Sequence, residues 1–300
     1  MALLVLVFLT SQSLAQAQAA GAPEKVFLLD AADTVEENDK DLKGGLLIRE
    51  IARQAVLIAA RDGLGLATRD SVLGEFDAAQ NPPGLFHIKA RARRLELHIT
   101  LDRGPPAERK IVWEKTISFG EPKGMEYMTL ITELEKLSRT DVVVVLKQVG
   151  FEGSHAPPPS KASVPEEIEK HLNELNVIGQ VAALRQLHAR LQSAGESPAL
   201  LGGLVRGYAN LGVLTQHHWS VAHKAFKARA LLYAERMVAK APASPATHWH
   251  RAYARALAGM PVRALESSGG GGKAPDGGKN QERSGRDAGM DQRFEGILPM

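Results

Sequence analysis

Two stretches set the reading of this chain: Ser197–Gly212, SPALLGGLVRGYANLG, and Ser244–Gly259, SPATHWHRAYARALAG. In each, a serine offers a side-chain oxygen to the first free helical amides. The proline behind it fits a first turn whose N–H would have no partner. The closing glycines, Gly212 and Gly259, suit left-handed helix stops. The stretches are offset by 47 residues (244 − 197). The same offset pairs Ala183, Leu184 and Leu191 with Ala230, Leu231 and Val238. Residues 165–265 therefore read as repeated helix–turn–helix units, each burying its apolar face on a neighbour.

Between the two stretches lies a long helix. Trp219, Ala222, Phe226, Ala230, Tyr233 and Met237 recur every three or four residues, the spacing of a buried stripe. That stripe is expected to pack on Leu201, Leu204 and Tyr208. Lys224, Lys227, Arg229, Arg236 and Lys240 fall off it, which places them in solvent or along a groove. Leu201, Leu204, Tyr208 and Gly212 of the first helix, with Ala230, Ala234 and Pro242 of the second, resemble the tetratricopeptide repeat, with roughly thirteen extra residues after Gly212. The resemblance implies an all-α hairpin domain that holds a protein or peptide partner. Tyr208, Lys224, Lys227 and Arg229 are then the residues that would meet an acidic peptide.

Residues 1–19 read as a signal peptide. An apolar run from Ala2 to Leu9 precedes small residues at Ala17-Gln18-Ala19, so the mature chain is expected to start near Ala20 and to be periplasmic or secreted. The run is too short to span a bilayer. With no cysteine, disulfides, lipidated thiols and thiolate metal sites are excluded. A net charge of +3 over 300 residues argues against a dedicated nucleic-acid binder.

Residues 24–151 read as an α+β domain with helices on one face of a small antiparallel sheet. Val26–Leu29 is a short buried strand, and Leu46–Arg61 a helix stopped by Gly63 and Gly65. In Phe86, Ile88, Ala90 and Ala92 the even positions are apolar; in Leu95, Leu97, Ile99 and Leu101 the odd ones are. That switch of parity implies a bulge or corner near Arg93-Arg94. Ile111, Trp113, Ile117 and Phe119 continue the odd parity, so Leu95–Leu101 and Ile111–Phe119 are expected to form an antiparallel hairpin. Tyr127, Leu130, Ile131, Leu134 and Leu137 mark a helix. Val142–Leu146, rich in β-branched residues, reads as a strand, with a buried helix as the alternative. The order of elements is similar to that of small periplasmic assembly domains, an architectural analogy that fixes no function. Residues 152–164, with Pro157-Pro158-Pro159, read as a linker, and residues 266–300 as a disordered glycine-rich tail.

Two residue sets offer chemistry. His218, His223, His248 and His250 are imidazoles that could bind zinc or copper, but their spacings of five and two do not share a helix face, so a site needs tertiary approach. Lys89, Arg91 and Arg93 alternate with alanines on one strand face and suit phosphate, lipid headgroups or an anionic polymer. No G-x-G-x-x-G, Walker, H-E-x-x-H or G-x-S-x-G pattern occurs. The leading expectation is an exported, non-enzymatic interaction protein without a cofactor. The alternatives are a histidine-based metal-binding or hydrolytic protein, and a structural assembly domain without a ligand groove.

Overall fold

Alternating apolar residues between Phe86 and Ser118 become the middle and one edge of a five-stranded sheet in the computed structural model of the chain. The structure describes residues 26–31, 45–93, 96–105, 108–118, 126–153, 159–218 and 222–261. The strands are β1 (Val26–Ala31), β2 (Ala67–Asp70), β3 (Phe86–Arg93), β4 (Glu96–Arg103) and β5 (Lys110–Ser118), in the order β2-β1-β3-β4-β5. β1 pairs in parallel with β2 and β3, whereas β3, β4 and β5 are antiparallel. The sheet is thus mixed and not antiparallel throughout. β2, Ala-Thr-Arg-Asp, is short and polar and carries no alternation that would announce it.

The parity switch near Arg93 has a simpler cause than a bulge. β3 and β4 are the two arms of a hairpin in which Arg93 lies opposite Glu96 and Phe86 opposite Arg103. Because the paired numbers add to an odd value, even residues of β3 share a face with odd residues of β4. Phe86, Ile88, Leu97, Ile99 and Leu101 are accordingly buried together. The expected hairpin of β4 with β5 is present, and the irregularity lies there: Leu101 faces Trp113 but Asp102 faces Ile111. The extra residue, Val112, turns Ile111 outward, 61% exposed, against the inward placement its parity suggests. Trp113 is half-buried against the core.

One face of the sheet is covered by helix α1 (Gly45–Ile58), which packs on β1 and β3, and by α2 (Glu126–Arg139) beyond it. Ile48, Ile51, Ala55, Leu130, Ile131 and Leu134 supply the apolar stripe. Residues 141–148 form helix α3 (Asp141–Gln148) and not the strand that valines suggest. Only Val142 and Leu146, one helical turn apart, are buried, while Val144 is 55% exposed. An i, i+4 pair satisfies the core, and tertiary context overrides β propensity. Phe151 then turns into the core, its ring centroid 5.5 Å from Phe27 and 5.7 Å from Phe86.

The second half contains α4 (Glu166–Asn173), α5 (Val177–Ala194), α6 (Pro198–Leu214), α7 (Ala222–Lys240) and α8 (Pro245–Leu257). Ser197 caps α6 as its position suggests, Oγ accepting from the Leu200 amide at 3.1 Å. Ser244 caps α8 differently, through its backbone carbonyl and the Thr247 amide at 3.0 Å. Gly259, with φ +92°, follows α8 as a stop. Gly212 does not stop α6, which runs on to Leu214. A Cβ there would sit 2.6 Å from Lys227 Cγ, so this glycine serves the close approach of α7.

The stripe on α7 packs as its spacing requires. Tyr208 of α6 stacks on Tyr233 at 5.8 Å and on Phe226 at 6.3 Å. Trp219 lies outside the described residues, as do the signal segment, Phe119, the prolines Pro157 and Pro158, and the tail. Helix α7 also packs against α1 and α2, so one apolar core runs through both halves. The last part of the expected linker is docked: the Ser160 amide donates to Glu196 O at 2.9 Å, and Ala162 O accepts from Ser197 Oγ at 2.6 Å. No described helix is long and apolar enough to cross a membrane.

Candidate functional site

The four residues expected to meet a peptide do not line one groove. Tyr208 is 3% exposed, its hydroxyl 2.7 Å from His188 Nε2. Arg229 is 8% exposed; its Nε donates to Gln54 Oε1 at 2.6 Å, and its guanidinium lies 5.5 Å from the Tyr208 ring centroid. Both belong to the junction of the two halves. Lys224 and Lys227 remain half-buried on α7. Arg236, expected in solvent, is also buried. Its Nη1 donates to Asp62 Oδ2 at 3.1 Å and Glu196 Oε1 at 3.0 Å, and its Nε to Glu135 Oε1 at 3.2 Å.

A π turn, Ala59–Gly63, prepares the other side of this junction at the end of α1. It presents consecutive Arg61 and Asp62 to α7: Tyr233 Oη donates to Asp62 Oδ2, and Arg61 Nη2 donates to Tyr233 Oη, both at 2.6 Å. Burial alone would raise the Asp62 carboxyl. Arg61, Arg236 and the Tyr233 hydroxyl instead hold it well below the usual carboxylate range. At the junction, therefore, the carboxylates of Asp62, Glu135 and Glu196 each have a guanidinium partner.

The histidines do not converge. His217 and His218 are exposed after α6, and His248 Nε2 donates to Pro242 O at 2.7 Å. His250 lies where Gly202 leaves room on α6, and burial, followed by the charge of Arg206, lowers its pKa to about 4. Among the described residues, no three His, Asp or Glu side chains are grouped to hold a metal ion.

The open face of the sheet is built differently. Its register sets His87 opposite Asp102, Lys89 opposite Thr100 and Arg91 opposite His98, all on the face away from α1. With Arg109 and the outward Ile111, these residues line a pocket of about 350 Å³, His87 lying just outside it. Arg93 ends β3 opposite Glu96. Lys89 Nζ donates to Asp102 Oδ2 at 2.8 Å. The Asp102 side chain is only 4% exposed, yet among the described residues its Oδ1 has no hydrogen-bond partner. Nor do Arg109 Nε and His87 Nε2, which are also buried. Burial, and then the nearby Arg109, lowers the His87 pKa.

Buried polar atoms are nearly always partnered, so two unmet ones in one lining, Asp102 Oδ1 and Arg109 Nε, point to a pocket suited to something polar. Its cations suit an anion, while Asp102 Oδ1 accepts from a donor on the same molecule. Lys89 and Arg91 were legible from their alternation. His98, Thr100, Asp102 and Arg109 were not, although the parity of β4 puts the first three on the face of Lys89 once the hairpin is recognised. Compared with known proteins, the chain matches no family model and no curated sequence.

Proposed function

We propose that this chain is an exported, non-enzymatic interaction protein that recognises an acidic group of a protein or peptide partner in the pocket on its open sheet face. The carrying observation is the unpartnered Asp102 Oδ1 beside Lys89, Arg91 and Arg109. A glutamate side chain or a terminal carboxylate would take the arginines, and an adjacent N–H would reach Asp102 Oδ1. The apolar run before Ala17-Gln18-Ala19 supports export.

The helical half serves this reading as a brace. Helices α5–α6 and α7–α8 are two degenerate units like the tetratricopeptide repeat, supported by the 47-residue spacing of Pro198 and Pro245. Their aromatic stripe is spent on each other and on the sheet half, which favours the sheet face over a helical groove.

Fluorescence anisotropy with a labelled hexaglutamate peptide tests the reading. Arg109→Gln should weaken binding at least about fivefold, the loss of a charge-assisted hydrogen bond. Lys224→Gln on α7 should leave it unchanged. Equal binding by wild type and Arg109→Gln, or a loss confined to Lys224→Gln, would return the site to the helices.

A further inference from the structure

A second pocket, of about 390 Å³, opens at the junction of the halves. Its walls are polar: Arg61, Thr68 and Glu75 come from the sheet half, Gln192 and Arg229 from the helical half. Neither arginine is fully used by the protein. Arg61 donates through Nε to Asp62 and through Nη2 to Tyr233, which leaves Nη1 with no hydrogen bond among the described residues. Among the described residues Arg229 donates only through Nε, and its Nη2 stands 3.7 Å from Asp70 Oδ2. Both side chains are largely withdrawn from water, at 14% and 9% exposure. Glu75 is the one carboxylate of the lining, and its Oε2 already accepts from the Asp70 amide at 2.8 Å.

A buried guanidinium with spare donors is a directional site for oxygen anions, since its fork matches carboxylate and phosphate geometry. Two of them on one cavity, with the Thr68 hydroxyl and the Gln192 amide beside them, leave donors in excess over acceptors. We infer that the junction pocket binds a small oxyanion, a carboxylate or phosphate group, held between Arg61 and Arg229 and thereby bridging the two halves of the chain. The site is separate from the sheet pocket: it shares no lining residue with it and stands whether or not that pocket binds peptides. Because its walls come from both halves, a bound anion favours their closed arrangement and raises stability in proportion to its occupancy.

The test is thermal unfolding of the full chain with inorganic phosphate or acetate, each against sodium chloride at equal ionic strength. Either oxyanion should raise the midpoint saturably where chloride does not; phosphate alone identifies a phosphate-type ligand, acetate alone a carboxylate. Gln192→Glu, at an exposed rim position, adds a carboxylate without touching the buried charges and should weaken that oxyanion about tenfold or more. Gln192→Asn should retain most of the effect, and Arg109→Gln on the sheet face should retain all of it. Arg229→Lys, which keeps the charge but loses the fork, should reduce affinity if the variant folds. No saturable stabilisation beyond chloride, or identical curves for wild type and Gln192→Glu, would overturn the inference.

Discussion

The two polar regions of this molecule contain the same kinds of residue and use them in opposite ways. At the junction, Arg53, Arg229 and Arg236 meet Glu50, Asp70, Asp62, Glu135 and Glu196, and every carboxylate among these has a cationic or amide partner. On the open sheet face, Asp102 is as withdrawn from water and Arg109 is half-buried, and each keeps a buried polar atom that no described protein group meets. What separates the regions is the state of their carboxylates: those at the junction are met by the protein, whereas Asp102 keeps an oxygen that no described group meets. A completed set resists change, whereas an incomplete one is poised to accept a ligand.

Four measurements probe that contrast. Arg236→Ala should give the largest effect, about 3–5 kcal/mol in urea unfolding, because it removes a buried counter-charge shared by Asp62, Glu135 and Glu196. A loss below about 1 kcal/mol would mean the junction is wet. Gly153→Ala should come next, at roughly 2 kcal/mol or more by overpacking. Its Cβ would stand against the Leu64 backbone, a neighbour that cannot rotate away as a side chain could. Tyr233→Phe removes the hydroxyl shared by Arg61 and Asp62 and should cost about 1–3 kcal/mol. Arg109→Gln should change stability by less than about 0.5 kcal/mol, since its Nε supports no contact in the protein. Were it to cost as much as Tyr233→Phe, the sheet face would be a second structural cluster and the distinction would fail.

Acid adds a further check, on the helical half. His250 has a folded pKa lowered to about 4, so the unfolded chain binds its proton first as pH falls. The neutral ring's contribution is whole above about pH 6.5 and is lost progressively toward pH 4. His250→Gln should flatten that part of the stability–pH curve, and an unchanged slope would assign the acid loss to other groups.

The apolar alternation was legible because burial leaves a period in the chain. The β4–β5 hairpin, the α2 stripe and the Tyr208–Phe226–Tyr233 packing follow from it. Polar partners leave no period. Arg229 and Arg236 stand off the stripe as any solvated lysine would; only Asp70 and Asp62, folded against them from the other half, bring them inside. β2 escaped for a related reason: Thr68 and Asp70 face helices with polar groups, so the strand has no apolar face to announce. Val142–Leu146 misled because propensity was read where a single i, i+4 pair decided. Part of the anion pocket was visible in Lys89 and Arg91. The rest needed the register of β4 and the bulge at Val112.

The separation of partners along the chain has a consequence for the order of events during synthesis. Asp62 waits for Arg236, 174 residues later, and Glu135 waits 101 residues for the same guanidinium. At a ribosomal rate of about 5–20 residues per second, the interval for Asp62 is roughly ten to thirty seconds. Until then Asp62 has Arg61 and Glu135 has Arg139 as its local counter-charge, and only the guanidinium that joins the two is missing. The bridge between these two carboxylates is therefore among the last contacts the chain can complete during synthesis.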